Sequence, residues 1–136
     1  MNDARVFVLI DPDYSVCTLE SEHKVPFQRL FEQCADFTRL VEGESVSPEA
    51  AKDIFKSAPA GKTLHDKFLY GLLNRQGILF GVLEGMRDYP DDTTWWIGLL
   101  LLAPETRRHG LGRKVIDGFM EYVRLEKGRA IMLGVV

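Results

Sequence analysis

The chain has 136 residues, of which 46% are hydrophobic and 27% are charged, and its formal net charge is −3. These values predict one globular domain that is large enough to bury a core, and the negative charge argues against nucleic acid or an anionic membrane as a partner. The longest apolar run, Trp95–Ala103, is too short to cross a bilayer as a helix, and no signal-peptide pattern opens the chain, so we expect a cytoplasmic protein. Two cysteines, Cys17 and Cys34, are too few for a disulfide framework or a metal site, so we expect reduced, buried thiols and no metal.

The first half of the chain predicts one strand and two helices. Arg5–Ile10 is rich in β-branched and aromatic residues, which indicates a strand, and the apolar residues of Val25–Val41 recur at helical spacing. A second helix is predicted to start at Ser47–Glu49, because serine caps free N–H groups and proline fits the first turn. Its predicted apolar stripe comprises Ala51, Ile54, Phe55 and Ala58.

The second half predicts three strands, a helix and a last strand. Lys67–Leu73 and Ile78–Met86 indicate two strands joined by a turn. Trp95–Leu102 is apolar on both faces, which places it in the middle of the sheet. Leu111–Lys127 carries an apolar stripe at helical spacing, and Ala130–Val136 indicates a strand parallel to Trp95–Leu102. The predicted order is β-α-α-β-β-β-α-β, in one mixed α/β sheet with helices packed on it.

A turn with two glycines, Arg107-Arg108-His109-Gly110-Leu111-Gly112, separates the apolar strand from the last helix. The glycines leave space for an anion to approach the backbone, and about three consecutive N–H groups at the helix start then point at it. The two arginines, together with Arg113, would add charge-assisted hydrogen bonds. A pyrophosphate is therefore the natural ligand of this turn.

Three interpretations of the turn remain open on these residues alone. A dinucleotide-binding fold would need a third glycine where Val115 stands, and a mononucleotide P-loop would need Gly-Lys-Ser/Thr, which is absent. The third interpretation is a tight strand-to-helix turn whose arginines are simply solvated. Short glycine motifs often match by chance, so the turn by itself does not decide between an anion site and a plain connection.

The pattern Pro104-x-x-Arg107-x-x-Gly110-x-Gly112, after an apolar strand and before a helix, resembles the acyl-CoA pyrophosphate motif of the GNAT N-acetyltransferase superfamily. The Leu-x-Leu-x-Pro spacing at the end of the strand and the order of elements over nearly the whole chain are also similar to that family. The resemblance implies an α/β (α+β) fold with a mixed, mostly antiparallel central sheet and helices on both faces. It also implies acetyl transfer from acetyl-CoA to a small-molecule or peptide amine by direct attack of the amine.

In that family acetyl-CoA lies between two parallel strands, which here would be Trp95–Leu102 and Ala130–Val136. The resemblance implies that the backbone at the end of the first strand pairs with the pantetheine arm, and that the glycine turn holds the pyrophosphate. The implied cofactor-binding residues are Leu100, Leu101, Leu102, Arg107, Arg108, His109, Gly110, Leu111, Gly112 and Arg113.

The motif does not identify the catalytic base. Glu84, on the strand before the apolar run, is our candidate, and the alternative is a solvated strand residue. The acidic loop at residues 88–92 would attract a cationic amine, although a solvated loop is the other interpretation. We expect His23 and His65 at the surface.

The family's usual fold continues beyond the strand at Ala130–Val136 with a helix and further strands. We therefore expect residues 1–136 to form a single GNAT-like acyltransferase domain that is short at its C-terminal end. Ala130–Val136 would be an exposed apolar edge strand, and we expect a homodimer or other self-association through it. Two functions follow: an acetyl-CoA-dependent N-acetyltransferase, or an acyl-CoA-binding, catalytically weak or inactive domain with an interaction or regulatory role.

Overall fold

The computed structural model describes residues 5–8, 14–34, 47–59, 61–107 and 110–133. Within these ranges the strands are β1 (Arg5–Val8), β2 (Ser15–Thr18), β3 (Lys67–Leu73), β4 (Leu79–Met86), β5 (Thr94–Leu102) and β6 (Ala130–Leu133). The helices are α1 (Lys24–Gln33), α2 (Ala50–Lys56) and α3 (Leu111–Leu125). Short 3₁₀ turns occupy Ser21–His23, Leu64–Asp66 and Pro104–Thr106.

The strands form one sheet whose spatial order follows the chain order from β1 to β6. Each neighbouring pair is antiparallel except β5 and β6, which are parallel and are joined through α3. The mixed, mostly antiparallel sheet with one parallel crossover, which the sequence predicted, is therefore confirmed.

Strand β2 has no counterpart in the predicted order. It pairs with β3 from Ser15↔Leu73 to Thr18↔Tyr70. β2 has only four residues, and the first and last of them are the polar residues Ser15 and Thr18. The strand is therefore too short to give an alternating apolar pattern in the sequence. The eight predicted elements are all present, and the order within the described residues is β-β-α-α-β-β-β-α-β.

Parts of three predicted elements lie outside the described residues. They are positions 9–10 of the first strand, positions 35–41 of the first helix and positions 134–136 of the last strand. Within the described ranges the first helix, the last helix and the last strand are confirmed as α1, α3 and β6.

Helix α2 begins at Ala50, later than the predicted start at Ser47–Glu49. The Ser47 hydroxyl still accepts an N–H, that of Glu49, at 3.1 Å, so the serine organises the turn before the helix rather than capping the helix itself. Ala58 follows the end of α2 and is exposed, so its predicted place in the apolar stripe is wrong.

Helices cover both faces of the sheet. Helix α3 packs on the face that carries Phe68 and Trp95, where the ring of Phe119 lies 5.1 Å from that of Phe68 and 5.9 Å from that of Trp95. The end of α2 lies on the opposite face, where the Lys67 ammonium donates to the Ser57 carbonyl at 2.8 Å. Lys67 and Phe68 are successive residues of β3, so their side chains point to opposite faces.

Several small or polar side chains are buried. Cys17 and Cys34 are buried in the core, as predicted, and neither is part of a disulfide among the described residues. His23 is only 5% exposed, so the surface position expected for it is wrong. Its Nδ1 accepts the Glu20 N–H at 2.8 Å, which fixes the turn that leads into α1.

In the part of the chain that the structure describes, no helix is long and apolar enough to cross a membrane.

Candidate active site

On its β6 side, the C-terminal part of the predicted cofactor strand, β5, has no partner strand among the described residues, and we call this part of β5 the open edge. β6 pairs with β5 from Thr94↔Ala130 to Ile97↔Leu133. Beyond Ile97, β5 continues to Leu102, and no strand among the described residues pairs with that part of it on the β6 side.

Hydrogen-bond alternation decides which backbone groups face this edge. The Ala103 N–H donates to a β4 carbonyl at 2.8 Å, and Leu101 lies opposite Val82 of β4. Backbone groups alternate in direction along an antiparallel strand, so the N–H and C=O of Leu101 face β4. Those of Leu100 and Leu102 face the open edge. Of the three leucines predicted to contact the pantetheine arm, these two therefore present their backbone to the cleft.

Arg107 is anchored at the end of β5. Its Nε donates to the Leu102 carbonyl at 3.1 Å, and the same carbonyl lies 3.3 Å from the thiol of Cys34. The half-buried arginine therefore carries a positive charge at a fixed place, directly before the glycine turn. Arg108 and His109, the next two predicted site residues, lie outside the described residues.

The N-terminus of α3 has the geometry of an anion site. Gly110 precedes the helix in the left-handed conformation, with φ of 73°, and nothing lies within 4 Å of the position of a Cβ there. The first intrahelical bond runs from the Lys114 N–H to the Gly110 carbonyl at 3.2 Å, which leaves the N–H groups of Leu111, Gly112 and Arg113 without an intrahelical acceptor.

These features fit a phosphate group. Open space at a glycine, three amide donors and the positive end of a helix dipole together favour an anion over any neutral ligand. Arg113 is exposed and lies 3.9 Å from Asp117, a pair that solvent screens and that leaves the guanidinium able to meet a ligand.

A β-bulge lies at the middle of β5. The register passes from Glu84↔Leu99 to Gly85↔Ile97, so Gly98 is the extra residue with no partner on β4. A Cβ at Gly98 would lie 2.9 Å from the Trp96 ring and 3.2 Å from Oε2 of Glu84. The indole and the carboxylate therefore border one small space above an exposed stretch of backbone.

Glu84 is buried, so the alternative interpretation of it as a solvated strand residue is wrong. Its Oε1 lies 3.1 Å from the Lys67 ammonium, and the two side chains are 9% and 6% exposed. The ammonium also donates to the Ser57 carbonyl at 2.8 Å and to the Ser57 hydroxyl at 3.1 Å. Burial raises the pKa of Glu84, while the positive charge of Lys67 opposes that rise.

The acidic loop at residues 88–92 is partly structural. One carboxylate oxygen of Asp91 accepts the Thr93 N–H at 3.0 Å and the Thr94 hydroxyl at 2.8 Å. These hydrogen bonds hold the pKa of Asp91 below its usual value, so its negative charge persists into mildly acid solution. Asp88 and Asp92 are exposed on the same loop.

The loop also carries Tyr89, whose ring lies 5.7 Å from that of Trp96. This contact joins the loop to Trp96, the aromatic residue beside the Gly98 bulge.

Within the described ranges, no group of three or more His, Cys, Asp or Glu side chains is placed to hold a metal ion.

Sequence reasoning proposed Glu84 as the catalytic base but did not single out Lys67 or Ser57, which lie beside it. A single acid in an apolar strand was the signal for Glu84. Lys67 reads as an ordinary first residue of a strand, and Ser57 as a residue after a helix. Their contact with Glu84 depends on the β3–β4 register and on where α2 ends.

A sequence model of the acetyltransferase (GNAT) family matches residues 18–136. Among solved structures, an acetyltransferase from Thermus thermophilus aligns with a TM-score of 0.73 and 18% identity, covering 93% of this chain and 77% of that chain. Spermidine N-acetyltransferase from Vibrio cholerae, in complex with CoA and spermine, aligns with a TM-score of 0.66 and 14% identity, covering 90% and 71%.

An aminoglycoside acetyltransferase from an uncultured soil metagenomic sample, in complex with sisomicin, aligns with a TM-score of 0.62 and 13% identity, covering 93% of this chain and 80% of that chain. At these identities the structural matches establish a shared fold. No curated protein matches the chain in sequence.

Proposed function

Since the chain belongs to the acetyltransferase (GNAT) family, we propose that it is an N-acetyltransferase, which transfers an acetyl group from acetyl-CoA to a primary amine. One observation carries the proposal. The open edge of β5, the anchored guanidinium of Arg107 and the N-terminus of α3 meet at the same end of β5. This supports binding of a ligand that combines an amide-containing arm with a pyrophosphate.

In this proposal, acetyl-CoA supplies the acyl thioester. The N–H and C=O of Leu100 and the N–H of Leu102 pair with the pantetheine arm, because they face the open edge, while the Leu102 carbonyl already accepts from Arg107. The pyrophosphate is held by the N–H groups at the start of α3 and by the cations of the turn, namely Arg107, Arg108, His109 and Arg113.

The amine is received at the Gly98 bulge. Oε2 of Glu84 takes a proton from the ammonium form of the amine, and the neutral nitrogen then attacks the thioester carbonyl carbon. The C–N bond forms and the C–S bond breaks. The second proton, which the nitrogen loses as it becomes an amide, passes through water to the departing CoA thiolate. The indole of Trp96 and the carboxylates of the loop at residues 88–92 favour a cationic amine, which agrees with the spermine and sisomicin bound in the two related structures.

The first experiment is calorimetric titration of the purified chain with acetyl-CoA and, separately, with desulfo-CoA. Binding of both supports the cleft, and release of CoA thiol is then followed with spermine, sisomicin and a peptide N-terminus as acceptors. Binding with no release for any amine favours the alternative function, an acyl-CoA-binding domain with an interaction role. Absence of binding by the folded chain contradicts both.

The pyrophosphate assignment is tested by Gly110→Asp. We expect affinity for acetyl-CoA to fall about tenfold or more, because a carboxylate then faces the pyrophosphate. Gly110→Asn is the matched control, since asparagine has nearly the same size and also tolerates a positive φ but adds no charge. Equal losses in both variants, or a loss in neither, would contradict the assignment. Circular dichroism shows whether both variants remain folded.

A further inference from the structure

We propose that Lys67 is a positioning residue for the acetyl transfer. It holds Oε1 of Glu84 and couples that carboxylate to the end of α2, so that Oε2 stays at the Gly98 bulge as the proton acceptor. The proposal rests on the proposed function, because it assigns a further residue to the same site.

The ammonium of Lys67 has a complete set of acceptors. An ammonium has three N–H donors, and here the acceptors are Oε1 of Glu84 at 3.1 Å, the Ser57 carbonyl at 2.8 Å and the Ser57 hydroxyl at 3.1 Å. With the side chain 6% exposed, water has little access to compete for these donors. The cation is therefore fixed in direction, and it fixes the carboxylate that it contacts.

The two oxygens of Glu84 have different surroundings. Oε1 accepts from Lys67, whereas Oε2 lies 3.2 Å from the position that a Cβ would take at Gly98. Among the described residues, no hydrogen bond reaches Oε2. Since Oε1 is held, rotation of the carboxylate away from the bulge would break the bond to Lys67. The geometry thus assigns proton acceptance to Oε2.

Lys67 also controls the charge of Glu84. The β5 residues beside it, Gly98 and Leu99, carry no charge, and Lys67 is the titratable partner that β3 presents on that face. Helix α1 also packs on β4. The charged side chains of both helices are exposed: Lys24, Arg29 and Glu32 of α1, and Lys52, Asp53 and Lys56 of α2. Burial raises the pKa of Glu84 above its usual 4.5, and Lys67 limits that rise. Without the ammonium, the carboxyl would remain protonated to higher pH and would not accept a proton there.

The test compares Lys67→Met, which keeps the length of the side chain but removes its charge, with Lys67→Arg, which keeps the charge. The carboxyl carbon of Glu84 is titrated by NMR without any substrate, and Glu84→Gln identifies its signal. We expect the midpoint to move to higher pH in Lys67→Met and to stay near the wild-type value in Lys67→Arg. In kcat/KM for the best amine, the acid limb should move in the same direction, with acetyl-CoA affinity unchanged.

An unchanged Glu84 midpoint in a folded Lys67→Met variant would overturn the proposal. Ser57→Ala tests the coupling to α2 even where Lys67→Met does not fold, because it keeps every charge and removes one acceptor. Its kcat/KM should fall several-fold, about threefold to tenfold, with the acid limb in place, and an unchanged kcat/KM counts against the coupling. If no amine is acetylated by the wild type while the Glu84 midpoint still shifts, the proposed function fails and the Lys67–Glu84 contact alone is retained.

Discussion

At Gly98 the absence of a side chain keeps two groups close together. The Trp96 ring and Oε2 of Glu84 both approach the position that a Cβ would occupy, at 2.9 and 3.2 Å. A methyl group there would meet a rigid indole on one side and an anchored carboxylate on the other. Only glycine at position 98 therefore leaves open the space between Trp96 and Glu84 that the amine is proposed to enter.

Gly98→Ala should reduce kcat/KM for the amine by about tenfold to a hundredfold, because displacing Trp96 or Glu84 by a fraction of an ångström misaligns the acceptor. Acetyl-CoA binding, measured by calorimetry, should be unchanged, since the glycine turn lies at the other end of the cleft. Trp96→Phe combined with Gly98→Ala should recover part of the loss, because the smaller ring lacks the atoms that the methyl meets. An equal loss of kcat/KM and of acetyl-CoA affinity would contradict the assignment of Gly98 to the amine site.

Single residues show how far the site can be predicted from the sequence. Glu84 could be selected because it is an acid within an apolar strand, and Arg107 because a glycine turn follows it. Lys67 could not, because its partner is determined by the pairing of β3 with β4 and by the position of Ser57. The local sequence shows which residues have suitable chemistry, whereas the contacts between them depend on strand register and packing.

Between elements, β4 and β5 approach each other closely beside the bulge. A Cβ at Gly85 would collide with the Trp96 carbonyl and lie 2.6 Å from the Phe68 ring. Because the first of these atoms is backbone, no side-chain rotation relieves the contact. Gly85 therefore permits the spacing of the two strands that form the site.

Gly85→Ala should lower the free energy of unfolding by about 3 kcal/mol or more, measured by urea denaturation. Gly61→Ala is a control with the same change in composition. Gly61 has φ of 83° and nothing within 4 Å of its Cβ position, so only the conformational strain of about 1–2 kcal/mol is expected. A smaller loss at Gly85 than at Gly61 would mean that β4 and β5 can separate without cost.

The elements differ in how visible they are in the sequence. Long apolar patterns predicted β3, β5 and α3 to within a few residues. A buried helix face gives apolar residues at helical spacing, and a strand buried on both faces gives a continuous apolar run. The bulge within β5 was hidden, since Trp95–Leu102 is apolar throughout and its pattern gives no sign of an extra residue. β2 was missed because four residues cannot show a period.

For the molecule as a whole, β5 organises the proposed chemistry. Its C-terminal end meets the anchored arginine and the start of α3, and its bulge meets Glu84 and Trp96. A ligand along the open edge would therefore reach from the phosphate site to the amine site. Among the described residues, β6 pairs with the first part of β5, from Thr94↔Ala130 to Ile97↔Leu133.

Among the described strands, β6 lies at an edge of the sheet and exposes apolar side chains, and we propose that a second copy of the chain covers them. Leu133 is 49% exposed on this edge, and exposed apolar edge strands promote pairing. Leu133→Lys should therefore shift sedimentation velocity profiles from dimer to monomer over a concentration series. Leu125→Lys is the matched control, because Leu125 is 73% exposed at the end of α3 and lies off the strand edge. A wild-type monomer at every concentration, or dissociation of both variants alike, would contradict association through β6.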